Sequence, residues 1–281
     1  MRLPQSRLWA RRCVREKVLF MGEARFAWPA RSAPLLNVSS DEGEGPVVIL
    51  IHGINSSSQS WVHVVPLLVP LYRVITIDLL GFGKSVAPAD AQFTLEEHVA
   101  ALRATIRSLH LRGRFTLVGH SLGALITSRY AAIYRRDVCQ VVLVAPPVYA
   151  ASAYVTEFAD RTVIKSYLRF YKYLRTNRET TQRNMAFLAR FFPSPALVIE
   201  ERYWAAFALS MEHCIEGQTT LADVAQISVP VEVVYGSRDQ IVLSDSIERL
   251  ARLQNVTVHE VAKADHIVRP AVAREVARVI R

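Results

Sequence analysis

Long hydrophobic runs are missing from this sequence. The longest, such as Pro46–Ile51 and Val141–Pro147, are strand-sized, far short of the ~18 residues that span a bilayer. No stable membrane insertion is therefore expected. Cysteine is scarce: Cys13, Cys139 and Cys214 are scattered, odd in number and free of C-x-x-C spacing. That pattern excludes a disulfide framework and a zinc cluster and points to a reducing compartment, the cytoplasm. Glycine and proline, at 11 and 13 residues, are too few for a fibrous or low-complexity chain. What remains is the make-up of a soluble globular protein, with 51% apolar and 21% charged residues among 281. That length suits one large domain with an insertion better than two independent ones.

Acidic residues are outnumbered 25 to 34, for a net charge of +9. The excess is local. Residues 1–31 carry Arg2, Arg7, Arg11, Arg12, Arg15, Lys17, Arg25 and Arg31 against Glu16 and Glu23, which is two-thirds of the total. A domain-wide basic footprint is absent, so no nucleic-acid partner is expected, and residues 1–15 read as a solvated basic arm. No apolar h-region or small-residue cleavage site follows these arginines, so no signal peptide is expected. Peripheral docking of the arm on an anionic membrane is a secondary option.

What is present is a beat of strand and helix. Glu16–Trp28 reads as a hairpin about Gly22. Val47–Ile51, Tyr72–Ile77, Arg114–Val118, Gln140–Val144, Val231–Tyr235 and Val256–Val261 are β-branched runs of the kind found in buried parallel strands. Helical patterns fall between them at Thr94–Leu109, Leu122–Arg135, Leu243–Leu253 and Pro270–Ile280, the first opened by a Thr94/Glu97 capping box. The fold class is α/β: an open, mainly parallel sheet with helices on both faces. Residues 146–223 break the beat. They hold no such strand, and they contain 13 of the 25 aromatic residues. Residues 16–145 and 224–281 read as the core, and 146–223 as an inserted helical cap whose aromatics line a pocket in part. Within the insertion, Arg161, Lys165, Arg169 and Lys172 share a helix face opposite Ile164, Leu168 and Tyr171 and read as a solvated stripe.

The chemistry is concentrated at Gly119-His120-Ser121-Leu122-Gly123, between the Arg114–Val118 strand and the following helix. A serine at such a strand-to-helix elbow stands at the positive end of a helix. Side chains at positions 119 and 123 would collide with neighbouring backbone, so both are glycine. A serine hydroxyl attacks only when a base takes its proton and a third group orients that base. His266, on the loop after the last strand, is the candidate base. His52 and His120 are tied to local turns, His63, His98, His110 and His213 fall in helical patterns, and His259 lies within a strand. Asp239, in Gly236-Ser-Arg-Asp239 after the preceding strand, is the candidate acid; Asp265 adjoins His266 and cannot easily fold back onto its ring. The amides of Leu122 and of Ile54, in the loop after Val47–Ile51, are the candidate oxyanion donors.

These motifs, with His52-Gly53, Ser57, Trp61 and Asp78-Leu-Leu-Gly-Phe-Gly-Lys-Ser85, resemble the α/β-hydrolase superfamily from about residue 16 onward, in its Ser, Asp, His order. The resemblance implies a structural role for Asp78. Asp265 and Leu243 depart from the family pattern at non-reacting positions. Serine at 121 argues against the aspartate-nucleophile dehalogenase and epoxide hydrolase branches. Gly53-Ile-Asn-Ser lacks the glycine-rich stretch of many carbon–carbon bond hydrolases, and Leu122 stands where cofactor-free haloperoxidases usually carry methionine. The expected activity is serine hydrolysis of carboxylic esters with an apolar acyl or alcohol group through an acyl-enzyme, with no metal or organic cofactor. Alternatives on the same triad are a carbon–carbon bond hydrolase and an acyltransferase or thioesterase; a non-catalytic small-molecule binder is the alternative of another class. The oligomeric state is not encoded in any feature of the sequence.

Overall fold

The computed structural model describes residues 33–149, 158–189 and 200–281. The basic arm and the expected Glu16–Trp28 hairpin lie outside the described residues. Seven strands form one sheet: β1 (Val38–Glu42), β2 (Val47–Ile51), β3 (Arg73–Ile77), β4 (Phe115–His120), β5 (Val138–Val144), β6 (Val231–Gly236) and β7 (Val256–Val261). Their order is β1-β3-β2-β4-β5-β6-β7, with β1 antiparallel to β3 and every other pair parallel. The helices are α1 (Val65–Leu68), α2 (Leu95–Ser108), α3 (Leu122–Ile133), α4 (Phe158–Thr176), α5 (Arg178–Ala189), α6 (Trp204–Ser210), α7 (Thr220–Val224), α8 (Ser244–Ala251) and α9 (Pro270–Val279).

Continuous apolar strands need cover on both faces, and side chains two apart share a face. Ile49, Ile51, Ile75, Ile77, Leu117 and Leu143 pack in one core with Val99 and Leu102 of α2 and Leu125 of α3. Val48, Leu50, Val74, Val118, Val142 and Val144 pack in the other with Trp61, Leu68 of α1, and Val272 and Val276 of α9. The capping box of α2 forms, with Glu97 N donating to Thr94 Oγ1 at 3.1 Å and Thr94 N donating back to Glu97 Oε2 at 3.4 Å.

Strand β1 goes unnoticed in the sequence because its residues, Val-Ser-Ser-Asp-Glu, show no apolar alternation. It pairs through its backbone at the sheet edge, aided by a bidentate Arg73–Asp41 ion pair. Between β5 and β6 the described residues contain helices and turns and no strand. Residues 211–216 among them form a π-helical turn. On α4, Lys165, Arg169 and Lys172 are exposed while Tyr171 is buried; the side chains of Arg161 and Ile164 lie outside the described set. Phe170 and Tyr173 are exposed too, so not every aromatic of this segment faces inward. Among the described residues no helix is long and apolar enough to cross a membrane.

The order of the sheet determines where a ligand can enter. From β2 the chain steps to β3 on one side and to β4 on the other. At such a switch the connections leave in opposite directions and open a crevice at the carboxyl ends.

Candidate active site

Strand β4 ends at that crevice with His120 and turns at once into α3. Ser121 sits at the turn with φ 51° and ψ −118°, a left-handed backbone that a non-glycine residue adopts only under constraint. The constraint is visible in the neighbours. A Cβ on Gly119 would stand 2.3 Å from the Gly123 carbonyl oxygen, and one on Gly123 would stand 2.5 Å from the carbonyl oxygens of Ile51 and His52. The elbow is therefore pressed against the end of β2, with Ser121 N donating to Val144 O at 3.0 Å on the other side.

The loops after β6 and β7 meet over the serine. A Cβ on Gly236 would lie 2.3 Å from Ala264 O, so the two loops pack backbone to backbone, and Arg238 N donates to Ala264 O at 2.9 Å. That contact sets Asp239 beside His266. Asp239 Oδ2 accepts from His266 Nδ1 at 2.7 Å, and His266 Nε2 lies 3.0 Å from Ser121 Oγ. A carboxylate can only accept, so the proton is on Nδ1, and Nε2 is left to accept the serine proton. Asp239 Oδ1 accepts from Ile241 N at 2.9 Å and Val242 N at 3.3 Å. Burial pushes the Asp239 carboxyl up, but the hydrogen bond and charge of His266, together with the two amides, outweigh it and hold the group below its ordinary value. Asp265 does not reach the imidazole in this way; it accepts from Ile267 N and pairs with Arg269 at 3.1 Å on the surface.

Both candidate oxyanion donors belong to segments that adjoin Ser121. Leu122 opens α3, where an N–H has no partner within the helix. Ile54 follows Gly53, on which a Cβ would stand 3.0 Å from Ser121 Cβ. The loop is tied down by His52, whose Nδ1–H donates to Gly53 O at 2.7 Å and whose Nε2 accepts from Leu79 N at 2.9 Å. Burial pushes the His52 pKa down to about 4, so the ring works as a neutral bridge. Asp78 does similar work beneath it. It accepts from Ser58 N and Oγ, Lys84 N, Asn37 Nδ2 and Ser39 Oγ, joining three segments of the chain at one buried carboxylate. Ser57 of the polar Asn55–Ser58 run caps the short helical turn at Ser58–Trp61, its Oγ accepting from Gln59 N at 3.4 Å.

His120, expected from the sequence to be tied to its local turn, instead serves a distant loop. Its Nε2–H donates to the backbone carbonyl of His266 at 2.8 Å, and the two rings lie 5.1 Å apart. Burial pushes its pKa down to about 3, so it stays neutral and holds the His266 loop against the elbow. Its place inside the elbow motif was visible; its partner, 146 positions away, was not. Among the described residues no cluster of three or more His, Cys, Asp or Glu side chains is arranged to hold a metal ion.

A family model described as "alpha/beta hydrolase fold" matches residues 46–187. Among curated proteins, the probable lysophospholipase BODYGUARD 4 of Arabidopsis thaliana is 39% identical over 107 residues, covering 37% of this chain and 26% of its own length. A 2-hydroxy-6-oxo-6-(2'-aminophenyl)hexa-2,4-dienoic acid hydrolase of Metapseudomonas resinovorans is 38% identical over 86 residues, covering 30% of this chain and 29% of its own. The match thus spans about a quarter of the length of these relatives. Two solved structures share the fold at low identity. E-2-(acetamidomethylene)succinate hydrolase superposes with a TM-score of 0.66 at 22% identity, over 86% of this chain and 92% of its own. The bromoperoxidase of Bacillus anthracis gives 0.63 at 23% identity, over 85% and 91%.

Proposed function

The chain belongs to the alpha/beta hydrolase fold family, and from that premise we propose that it is a serine hydrolase of carboxylic esters. Ser121 Oγ attacks the ester carbonyl while His266 Nε2 takes its proton, and Asp239 stabilises the imidazolium that forms. The amides of Leu122 and Ile54 receive the developing oxyanion. His266 returns the proton to the leaving alcohol, then activates a water that releases the acid from the acyl-enzyme. The observation that carries this reading is the unbroken run from Ser121 Oγ through both nitrogens of His266 to Asp239, at 3.0 and 2.7 Å. No cofactor enters any step.

Residues 146–223 are read as the cap that selects the substrate, and residues 1–15 as an appended basic arm. Tyr203 and Trp204 pack against the apolar core, with Tyr203 6.1 Å from Phe82 and its hydroxyl donating to Gly83 O at 3.0 Å. Those aromatics support an apolar acyl or alcohol group. The free thiols of Cys139 and Cys214 fit a reducing, cytoplasmic setting.

The test is hydrolysis of p-nitrophenyl esters of increasing acyl length by the wild type and by Ser121→Ala. The expected result is turnover that falls by about 10⁴-fold or more in the variant, with a chain-length optimum in the wild type. A folded wild type inactive on every ester would overturn the assignment and favour a carbon–carbon bond hydrolase, an acyltransferase or a binder.

A further inference from the structure

The proposed mechanism leaves a buried pair of phenols unused. Tyr149 follows β5, and Tyr171 lies on the inner face of α4; both are buried. Their hydroxyls are 2.6 Å apart, and Tyr149 Oη is 3.2 Å from the carbonyl oxygen of Ile241. A carbonyl can only accept, so the Tyr149 proton points to Ile241, and Tyr171 donates to Tyr149. The Ile241 carbonyl and the Val242 N–H belong to one peptide group, and that N–H donates to Asp239 Oδ1. Two series of donors therefore converge on the Asp239 carboxylate: Tyr171 O–H, Tyr149 O–H and the 241–242 peptide reach Oδ1, and Ser121 O–H and His266 Nδ1–H reach Oδ2. Hydrogen bonds in such a series polarise one another, most of all where water is excluded. Tyr149 is also fixed at its backbone. Its N–H donates to Gln218 Oε1 at 3.1 Å, and Gln218 Nε2 donates to the carbonyls of Pro147 and Ile215.

We propose that Tyr149 and Tyr171 are positioning residues that couple helix α4 to the acid of the triad. They hold the 241–242 peptide, and through it the carboxylate of Asp239, in the orientation that keeps His266 aimed at Ser121. A displacement of α4 breaks the first link, so the state of this helix is read at the nucleophile. The inference rests on the triad reading of the preceding section.

Two measurements on Tyr149→Phe, Tyr171→Phe and the double variant test it, with Tyr235→Phe as control because its hydroxyl bonds Glu260 of the edge strand β7. The first is the rate of covalent labelling by a fluorophosphonate. The second is the downfield proton resonance of His266 Nδ1–H, which is read whether or not the protein turns over. Tyr149→Phe is expected to slow labelling about three- to tenfold, the range for one neutral hydrogen bond. It also displaces the resonance and speeds its exchange with water. Tyr171→Phe has a smaller effect in the same direction, and the double variant behaves as Tyr149→Phe alone, because the outer link is then already cut. Unchanged rates and resonance in variants that melt like the control would overturn the coupling. So would strictly additive effects, which mark two independent packing roles. A wild type that does not label overturns the hydrolase reading, and the resonance then decides the coupling alone.

Discussion

The carboxyl edge of the sheet and the helices between β5 and β6 are held by different kinds of contact. At the sheet edge, backbone meets backbone: Gly119 on Gly123, Gly123 on Ile51 and His52, Gly236 on Ala264, with an added Cβ at 2.3–2.5 Å in each case. Among the described residues between β5 and β6, side chains make the ties. Arg175 of α4 pairs with Glu216 at 2.7 Å and Glu212 at 3.0 Å, Arg178 pairs with Glu201, and His98 of α2 meets Ser210 of α6 at 3.0 Å. Backbone contacts at that distance admit no added atom, whereas side-chain ties are exchanged one at a time. On our reading, chemistry is thus built where substitution is sterically closed, and selectivity where it is open.

The sharpest break in that comparison is electrostatic. Asp239→Asn keeps the shape of the edge and removes the group that fixes the His266 tautomer. Ester turnover should fall about 10⁴-fold while the melting temperature holds to within a few degrees; retention of a tenth of the activity would deny Asp239 its role. The next effect is steric. Gly123→Ala should cost about 3 kcal/mol or more, because both atoms it strikes are backbone carbonyls. Arg175→Met, in the side-chain-tied region, should cost only about 1 kcal/mol, since the pair is partly exposed. Urea unfolding of the two variants checks the order, and a reversed order breaks the contrast.

Three buried histidines extend the contrast to pH. Burial pushes His52 down to about 4, and His98 and His120 down to about 3, from an ordinary 6.5. Below pH 6.5 the unfolded chain protonates all three while the folded chain does not. Stability is therefore full above 6.5 and is lost as pH falls toward those folded values, by up to about 1.4 kcal/mol per ring per pH unit. Unfolding in urea at pH 7 and pH 5 should show the loss. Replacement of His98 by Gln, whose amide stays neutral, should remove about a third of the slope. An unchanged slope would mean that the ring takes up its proton in place.

Legibility in the sequence follows the same division. The strands β2 to β6 were readable because burial on both faces demands unbroken apolar runs, and β1 was not, because an edge strand of Val-Ser-Ser-Asp-Glu is held by its backbone and polar side chains and shows no apolar alternation. Ser121, Asp239 and His266, which the fold brings together, were readable because each belongs to a short local motif at a strand end. His120 and Tyr149 were not. Their partners, His266 and Ile241, lie 146 and 92 positions away, and nothing local marks a side chain that serves a distant carbonyl. Asp78 shows the intermediate case: its turn was legible from the motif, but Asn37 and Ser39 as its donors were not.

The smallest effect concerns the outer face of α4. Lys165, Arg169 and Lys172 are exposed there. Solvated cations on a helix contribute little, because water screens them and their rotamer entropy opposes any fixed geometry. Charge reversal of all three to Glu should therefore change unfolding stability by less than about 0.5 kcal/mol and leave ester turnover unchanged. The inner face offers the opposite expectation, since Tyr171 lies there, bonded to Tyr149. If reversal on the outer face slowed turnover as much as Tyr171→Phe, α4 would be held from outside as well as from within. The division between a backbone-built edge and a side-chain-tied helix would then have to be redrawn around its charge.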